Sequence, residues 1–184
     1  MPFIQTAFPG LMIFEPKVFE DSRGYFFESF NESLCKAEGM DIRFVQDNQA
    51  RSTYGVVRGL HYQLAPYAQT KFIRVLSGSI LDVVVDIRKG SPTYGKVFSL
   101  ELNDTNKLQL FIPKGFAHGY SVLSPTAEVF YKCDEFWNRD AEGGISLLDE
   151  SLAINWQVPR DKMIISDKDL QYPSIEDCKN NFEF

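Results

Sequence analysis

Only two histidines occur in the 184 residues of this chain, and both sit in polar, glycine-bearing strings. His61 lies in Arg58-Gly59-Leu60-His61-Tyr62-Gln63, and His118 closes Pro113-Lys114-Gly115-Phe116-Ala117-His118. Imidazole titrates nearest neutrality of all side chains, so these placements point to proton transfer more readily than to metal binding. A histidine acting as a general base needs a partner for its second ring nitrogen, normally a carboxylate. Asp169, in Ser166-Asp167-Lys168-Asp169, is a candidate that spacing alone does not locate. Lys71 opens a β-like segment, and Tyr131, in Phe130-Tyr131-Lys132, shares a strand face with Val129. Taken singly, each is more often a surface or core-edge residue. Taken with His61 they supply a base, an ammonium and a phenol, the set a carbon-acid reaction needs for proton removal, enolate stabilisation and reprotonation.

Other residues carry two readings. Pro113-x-Gly115-x-x-His118 looks like the second half of the cupin metal pattern, whose first half requires His-x-His; here that position reads His61-Tyr62-Gln63. Two histidines cannot build a three-histidine site within one chain, so a metal-free site is expected. Phe136-Trp137 stands in a polar loop, where the tryptophan either stacks on a planar ligand such as a nucleobase or anchors the loop. Asp82 and Asp86, four apart on one strand, either line a polar cavity or pair with a cation.

The elements that must position these groups are mostly strands. From Lys71 to Cys133, segments rich in Val, Ile, Phe and Tyr alternate with turn chemistry about every ten residues, the signature of an all-β sandwich or barrel. Lys71–Ser77 and Ser79–Arg88 flank Gly78. Lys89-Gly90-Ser91-Pro92 turns into Lys96–Asn103, Asn103-Asp104-Thr105-Asn106 into Leu108–Pro113, and Ala127–Cys133 follows Ser124-Pro125. Ile80–Arg88 is nearly continuous in apolar content, as a strand buried on both faces would be. One helix is expected over Glu32–Glu38, capped by Asn31 and stopped by Gly39. Beyond Asp149, Pro159 and Pro173 leave room only for short helices and loops packed on the β structure.

Composition sets the outer bounds. A hydrophobic content of 44% over 184 residues suffices for a substantial core, and no composition shift divides it, so residues 1–184 are read as a single domain. No apolar run is long enough for a transmembrane helix and no signal-peptide pattern opens the chain, so a cytoplasmic protein without a membrane partner is expected. Cys35, Cys133 and Cys178 show no C-x-x-C spacing and are read as reduced thiols. A net charge of −6 argues against nucleic acid as a partner. An anionic ligand would be small and met by a local cluster drawn from Arg23, Arg58, Lys71 and Arg74.

Several ordered strings together resemble the dTDP-4-dehydrorhamnose 3,5-epimerase family over nearly the whole chain. They are Asp21-Ser22-Arg23-Gly24-Tyr25-Phe26-Phe27-Glu28-Ser29-Phe30, Phe44-Val45-Gln46-Asp47-Asn48, Val57-Arg58-Gly59-Leu60-His61-Tyr62-Gln63, Val83-Val84-Val85-Asp86-Ile87-Arg88, Ile112-Pro113-Lys114-Gly115-Phe116-Ala117-His118-Gly119 and Ser166-Asp167-Lys168-Asp169. The resemblance implies an all-β, cupin-type jelly-roll barrel with short peripheral helices. It further implies inversion of C3 and C5 of dTDP-4-dehydro-6-deoxy-D-glucose through an enolate, giving dTDP-4-dehydro-L-rhamnose without metal or organic cofactor. By the same likeness His61 paired with Asp169 is the base, Lys71 stabilises the enolate oxygen, and Tyr131 returns the proton from the opposite face. Arg23 and Arg58 meet the diphosphate, and His118 and Lys168 line the site. Glu28, Gln46, Asn48 and Glu142 bind substrate, and Trp137 stacks on the thymine. The family likeness also implies a homodimer in which Arg23 and Glu28 complete the partner's site. Trp137 is larger than the aromatic usual at its position, and Arg139 stands where a proline or small residue is common. Enzymes that epimerise one carbon or isomerise the keto group share the fold, as would a non-catalytic sugar-nucleotide-binding cupin.

Overall fold

The computed structural model describes residues 2–184. The chain runs through β1 (Phe3–Gln5), β2 (Met12–Phe14), β3 (Phe19–Asp21), β4 (Gly24–Phe26), α1 (Glu32–Ala37), β5 (Gln46–Thr53), β6 (Val57–Gln63) and β7 (Lys71–Ser77). It continues through β8 (Ser79–Asp86), β9 (Val97–Asn103), β10 (Gln109–Ile112), β11 (Phe116–Val122), β12 (Thr126–Cys133) and β13 (Glu142–Gly144). Three short 3-10 turns follow, at Glu150–Leu152, Arg160–Lys162 and Asp169–Gln171. The architecture is all-β, as the turn spacing predicts. One sheet is ordered β1-β2-β10-β7-β12-β5 and the other β13-β6-β11-β8-β9, antiparallel throughout. The two sheets face each other in jelly-roll fashion and keep open edges; they do not close into one continuous barrel.

Local chemistry accounts for the element ends. Asn31 caps α1 by accepting from the Ser33 and Leu34 amides, and the helix stops at Ala37, a residue short of the sequence expectation, with Gly39 at φ 82° beyond it. Asn103 Oδ1 accepts from the amides of Thr105 and Asn106, closing the turn that carries the chain from β9 to β10 in the other sheet. Gly78, at φ 82°, forms the corner at which the chain leaves one sheet for the other. A Cβ there would lie 2.1 Å from the Thr126 carbonyl oxygen, so only glycine makes this corner.

Three apolar clusters explain the strand patterns. Between the sheets pack Ile73, Val84, Leu102, Leu110, Phe116, Val122 and Val129. The outer face of the five-stranded sheet, bearing Leu60, Leu81, Val83 and Val85, is covered by Leu147, Leu152, Trp156 and Phe182 from the C-terminal segment. The outer face of the other sheet holds Phe14, Phe72 and Phe111 beneath Cys35 and Met40. β8 is therefore buried on both faces, which is why its sequence is nearly continuous in apolar residues. The β3–β4 hairpin pairs only with itself, and Phe19, Tyr25 and Phe26 on it are exposed. Among the described residues no helix is long and apolar enough to cross a membrane.

Candidate active site

The site begins with an irregularity in β6. His61 opposes His118 on β11, and Arg58 opposes Tyr120, so three steps along β6 match two along β11. In a regular strand residues three apart point to opposite faces; the extra residue of this bulge puts Arg58 and His61 on the same, inner face. Gly59, at φ 129°, occupies the bulge against Gly119: a Cβ on Gly59 would lie 2.6 Å from Gly119 Cα, and one on Gly119 would lie 2.5 Å from the Arg58 carbonyl oxygen. The glycines beside each histidine thus serve the close approach of the two strands that carry them.

His61 is half-buried, with Nε2 2.7 Å from Asp169 Oδ1. Asp169 sits on the 3-10 turn Asp169–Gln171; its other oxygen accepts from the Gly59 amide at 3.4 Å, and its own amide donates to Ser166 Oγ. Burial pushes the Asp169 carboxyl upward, but the His61 hydrogen bond and charge outweigh it, and the pKa falls below the ordinary aspartate value. With Nε2 committed to Asp169, Nδ1 is the nitrogen left to exchange a proton. The same turn ends at Tyr172, whose ring meets the His61 ring edge-on at 5.6 Å. Gly144, opposite His61 on β13, makes room for it: a Cβ there would lie 2.6 Å from the Tyr172 ring.

The facing sheet supplies the other reactive groups in register. Lys71 on β7 is opposite Cys133 on β12, which is opposite Gln46 on β5; in the next row Ile73, Tyr131 and Asn48 align. Burial lowers the Lys71 ammonium pKa, a shift resisted by Cys133, Asp82 and Glu142. Burial pushes the Tyr131 phenol up to about 12, so it stands protonated near neutrality. The Cys133 thiol is pushed up to about 11 and is held neutral beside Lys71. All three cysteines are free.

A cavity of about 530 Å³ is lined by His61 and Glu142 from one sheet and by Gln46, Asn48, Lys71 and Tyr131 from the other, with Gln63, Gln69, Phe136 and Trp137 also on its wall. The exposed Trp137 ring is thus part of the cavity rather than a buried anchor. Glu142 Oε1 accepts from Lys168 Nζ at 2.5 Å and from the Tyr172 hydroxyl at 3.3 Å, which ties Lys168 to the rim. His118 is buried behind His61 with Nε2 2.9 Å from Asp82 Oδ2, and burial lowers its pKa despite that carboxylate. Arg58 reaches across to Ser52 Oγ on the opposite sheet, at 3.2 and 3.1 Å.

Two expected site residues lie apart from this cavity. Arg23 stands at the tip of the β3–β4 hairpin, bonded to Asp21, and Glu28 lines a separate groove with Phe14, Lys17 and Phe19 while accepting from Asn31. Arg74, a candidate anion ligand, is on the outer sheet face, between the rings of Phe27 and Phe130. Asp86 resolves as a cation partner, holding Arg88 with help from the Ser91 and Thr93 hydroxyls, whereas Asp82 is hydrogen-bonded to the His118 imidazole. Tyr172 and the glutamines Gln63 and Gln69 escape sequence reasoning. For Tyr172 a signal exists in the paired Gly143-Gly144, small residues where a ring must pack. Among the described residues no group of three His, Cys, Asp or Glu is placed to hold a metal. A carboxylate-oriented base, a buried ammonium and an opposed neutral phenol suit abstraction and return of a carbon-bound proton next to a carbonyl.

Comparison with known proteins agrees with this chemistry. The family model for dTDP-4-dehydrorhamnose 3,5-epimerase matches residues 5–177. A dTDP-4-dehydrorhamnose 3,5-epimerase of Shigella flexneri is 52% identical over 97% of this chain and 98% of its own. The crystal structure of the Elizabethkingia anophelis enzyme of that name superposes with a TM-score of 0.91 at 46% identity, covering 95% of this chain and 96% of that one. The epimerase from Legionella pneumophila, solved in complex with dTDP-4-keto-L-rhamnose, gives 0.90 at 44% identity over 95% and 92% of the two chains. On the match across residues 5–177 and the shared fold, this chain belongs to the dTDP-4-dehydrorhamnose 3,5-epimerase family.

Proposed function

We propose that this chain is an isomerase that inverts C3 and C5 of dTDP-4-dehydro-6-deoxy-D-glucose, with His61 as the base and Tyr131 as the acid. The observation that carries this reading is the His61–Asp169 contact of 2.7 Å on one sheet, with Tyr131 and Lys71 on the other sheet lining the same cavity. The 4-keto group acidifies the hydrogens on C3 and C5, because the carbanion left by either delocalises onto O4. His61 Nδ1 takes the proton, Asp169 stabilises the resulting imidazolium, and the Lys71 ammonium stabilises the enolate oxygen in a site of reduced dielectric. Reprotonation by Tyr131 from the opposing sheet arrives on the opposite face of the sugar, which inverts the centre. Arg58 meets the diphosphate, Trp137 stacks on the thymine, and Gln46, Asn48, His118, Glu142 and Lys168 hold the remaining polar groups. That the Legionella relative binds dTDP-4-keto-L-rhamnose supports the choice of nucleotide sugar.

The active form in this proposal is a cytoplasmic homodimer. The hairpin β3–β4 exposes Phe19, Tyr25 and Phe26 and pairs with neither sheet. A second copy covering it would bring Arg23 and Glu28 to the partner's cavity, where Arg23 joins Arg58 on the diphosphate.

Proton NMR of the protein with dTDP-4-dehydro-6-deoxy-D-glucose in deuterated water, coupled to a reductase that traps the product, tests the reaction. Deuterium at both C3 and C5 with trapped dTDP-L-rhamnose is expected. Exchange at one centre alone would make the chain a mono-epimerase, and none would point to a different nucleotide sugar or to a binding protein.

A further inference from the structure

The loop that carries Phe136 and Trp137 has no regular structure, and both rings are largely exposed, at 61% and 55%. Packing therefore does little to fix them. Their backbone is held instead by glutamine side chains, one group from each of four consecutive residues. Gln69 Nε2 donates to the Glu135 carbonyl at 2.8 Å, and Gln63 Nε2 donates to the Phe136 carbonyl at 3.3 Å. Gln46 Oε1 accepts from the Trp137 amide at 3.0 Å, and Gln63 Oε1 accepts from the Asn138 amide at 2.6 Å.

Gln63 is the centre of this arrangement. It is 4% exposed, and the second hydrogen of its Nε2 goes to the Tyr67 carbonyl at 2.8 Å. An amide side chain offers two donors and an acceptor at fixed separation, and all three functions are used here. A glutamate would lose both donors, and an apolar residue would leave the Phe136 carbonyl and Asn138 amide of the loop, and the Tyr67 carbonyl outside it, without these partners. The three glutamines come from the start of β5, the end of β6 and the segment before β7, so the loop is fastened to both sheets.

We infer that Gln63 is a positioning residue for nucleotide binding: with Gln69 it fixes the Glu135–Asn138 backbone so that Trp137 is already placed to stack on the base of the nucleoside diphosphate. The inference rests on the reading of Trp137 as the stacking surface. Ordering a free loop at the moment of binding weakens affinity, and the glutamine ties remove that cost from the binding step. Gln63 acts on binding, not on the proton-transfer groups, so its loss separates KM from kcat.

The test is calorimetric titration of dTDP into the wild type, Gln63→Leu, Gln63→Glu, Gln69→Leu, Trp137→Ala and the double variant Gln63→Leu/Trp137→Ala, with steady-state kinetics on each. Gln63→Leu is expected to raise the dTDP Kd and the KM about tenfold, the scale of a lost base–aromatic stack, with kcat at saturation within about twofold. In the Trp137→Ala background the same change is expected to add almost nothing, because its effect passes through that ring. An unchanged Kd in folded Gln63→Leu, or a full additional loss in the double variant, overturns the clamp while leaving the stacking role intact. An unchanged Kd in Trp137→Ala removes the stacking role and the inference with it. Should Gln63→Leu fail to fold, Gln63→Glu and Gln69→Leu carry the test, and unchanged affinity in both overturns it.

Discussion

His61 is oriented by two residues of one turn, Asp169 bonded to its Nε2 and Tyr172 edge-on to its ring. Asp169→Asn keeps the size of the side chain but loses the charge that stabilises the imidazolium. A fall in kcat of about 10²-fold or more is expected, with deuterium exchange at C3 and C5 reduced in parallel. His61→Asn is expected to abolish that exchange, whereas Tyr131→Phe loses epimerisation more than exchange, because the base still acts; retained epimerisation would remove Tyr131 from the acid role. Asp86 carries a stability prediction. Burial alone would raise its pKa, but Arg88, Ser91 and Thr93 bond its carboxylate and hold it below the ordinary value. A folded pKa below the unfolded one means that the contribution to stability is present above about pH 4 and is lost as pH falls through the folded value. Asp86→Asn should therefore destabilise the protein near neutrality, with the gap to wild type narrowing in acid; urea denaturation at both pH values would reveal a constant gap if the charge were irrelevant.

At the scale of the element, the β6 bulge decides which side chains reach the cavity. Gly59→Ala forces a Cβ to within 2.6 Å of Gly119 Cα at a φ of 129°. A destabilisation of about 1–3 kcal/mol is expected from strain and overpacking, together with a loss of kcat as Arg58 and His61 lose their common face. A variant with wild-type thermal midpoint and activity would show that the bulge is dispensable. β5 is the element least legible beforehand. Gln46-Asp47-Asn48-Gln49-Ala50-Arg51-Ser52-Thr53 has almost no β-branched or aromatic residue, because inner Gln46 and Asn48 line the cavity and Ser52 meets Arg58 rather than core. The strands of β7, β8 and β12 are apolar on the inner face for much of their length, and turn chemistry marks their ends.

The whole molecule leaves the β3–β4 hairpin uncovered and separates Arg23 and Glu28 from the catalytic cavity. If the partner completes each site, mixing inactive Arg23→Ala subunits with inactive His61→Asn subunits should restore activity. In a random mixture one cavity in each hybrid pairs an intact hairpin with an intact base, so about a quarter of wild-type turnover is expected by counting alone for a symmetric dimer. Sedimentation would confirm the dimer, and absence of any recovery in a mixed dimer would place Arg23 in its own subunit's site.

Consecutive residues alone mark β7 to β10 and β12 but not β11, the helix between Asn31 and Gly39, and three side chains, His61, Lys71 and Tyr131, suited to serve as base, ammonium and phenol. These rest on local backbone sterics, capping and side-chain acidity, which act over a few residues and are written in consecutive letters. Family likeness supplied the pairing of His61 with Asp169, since the two are 108 positions apart and spacing alone cannot join them. Tertiary structure decided what depends on one sheet facing another: the common face of Arg58 and His61, the ring of Tyr172 against the base, the capture of His118 by Asp82, and the glutamine ties on the Trp137 loop. Those contacts arise only when distant strands are set in register, and a single bulge residue is enough to reverse the face on which a side chain emerges.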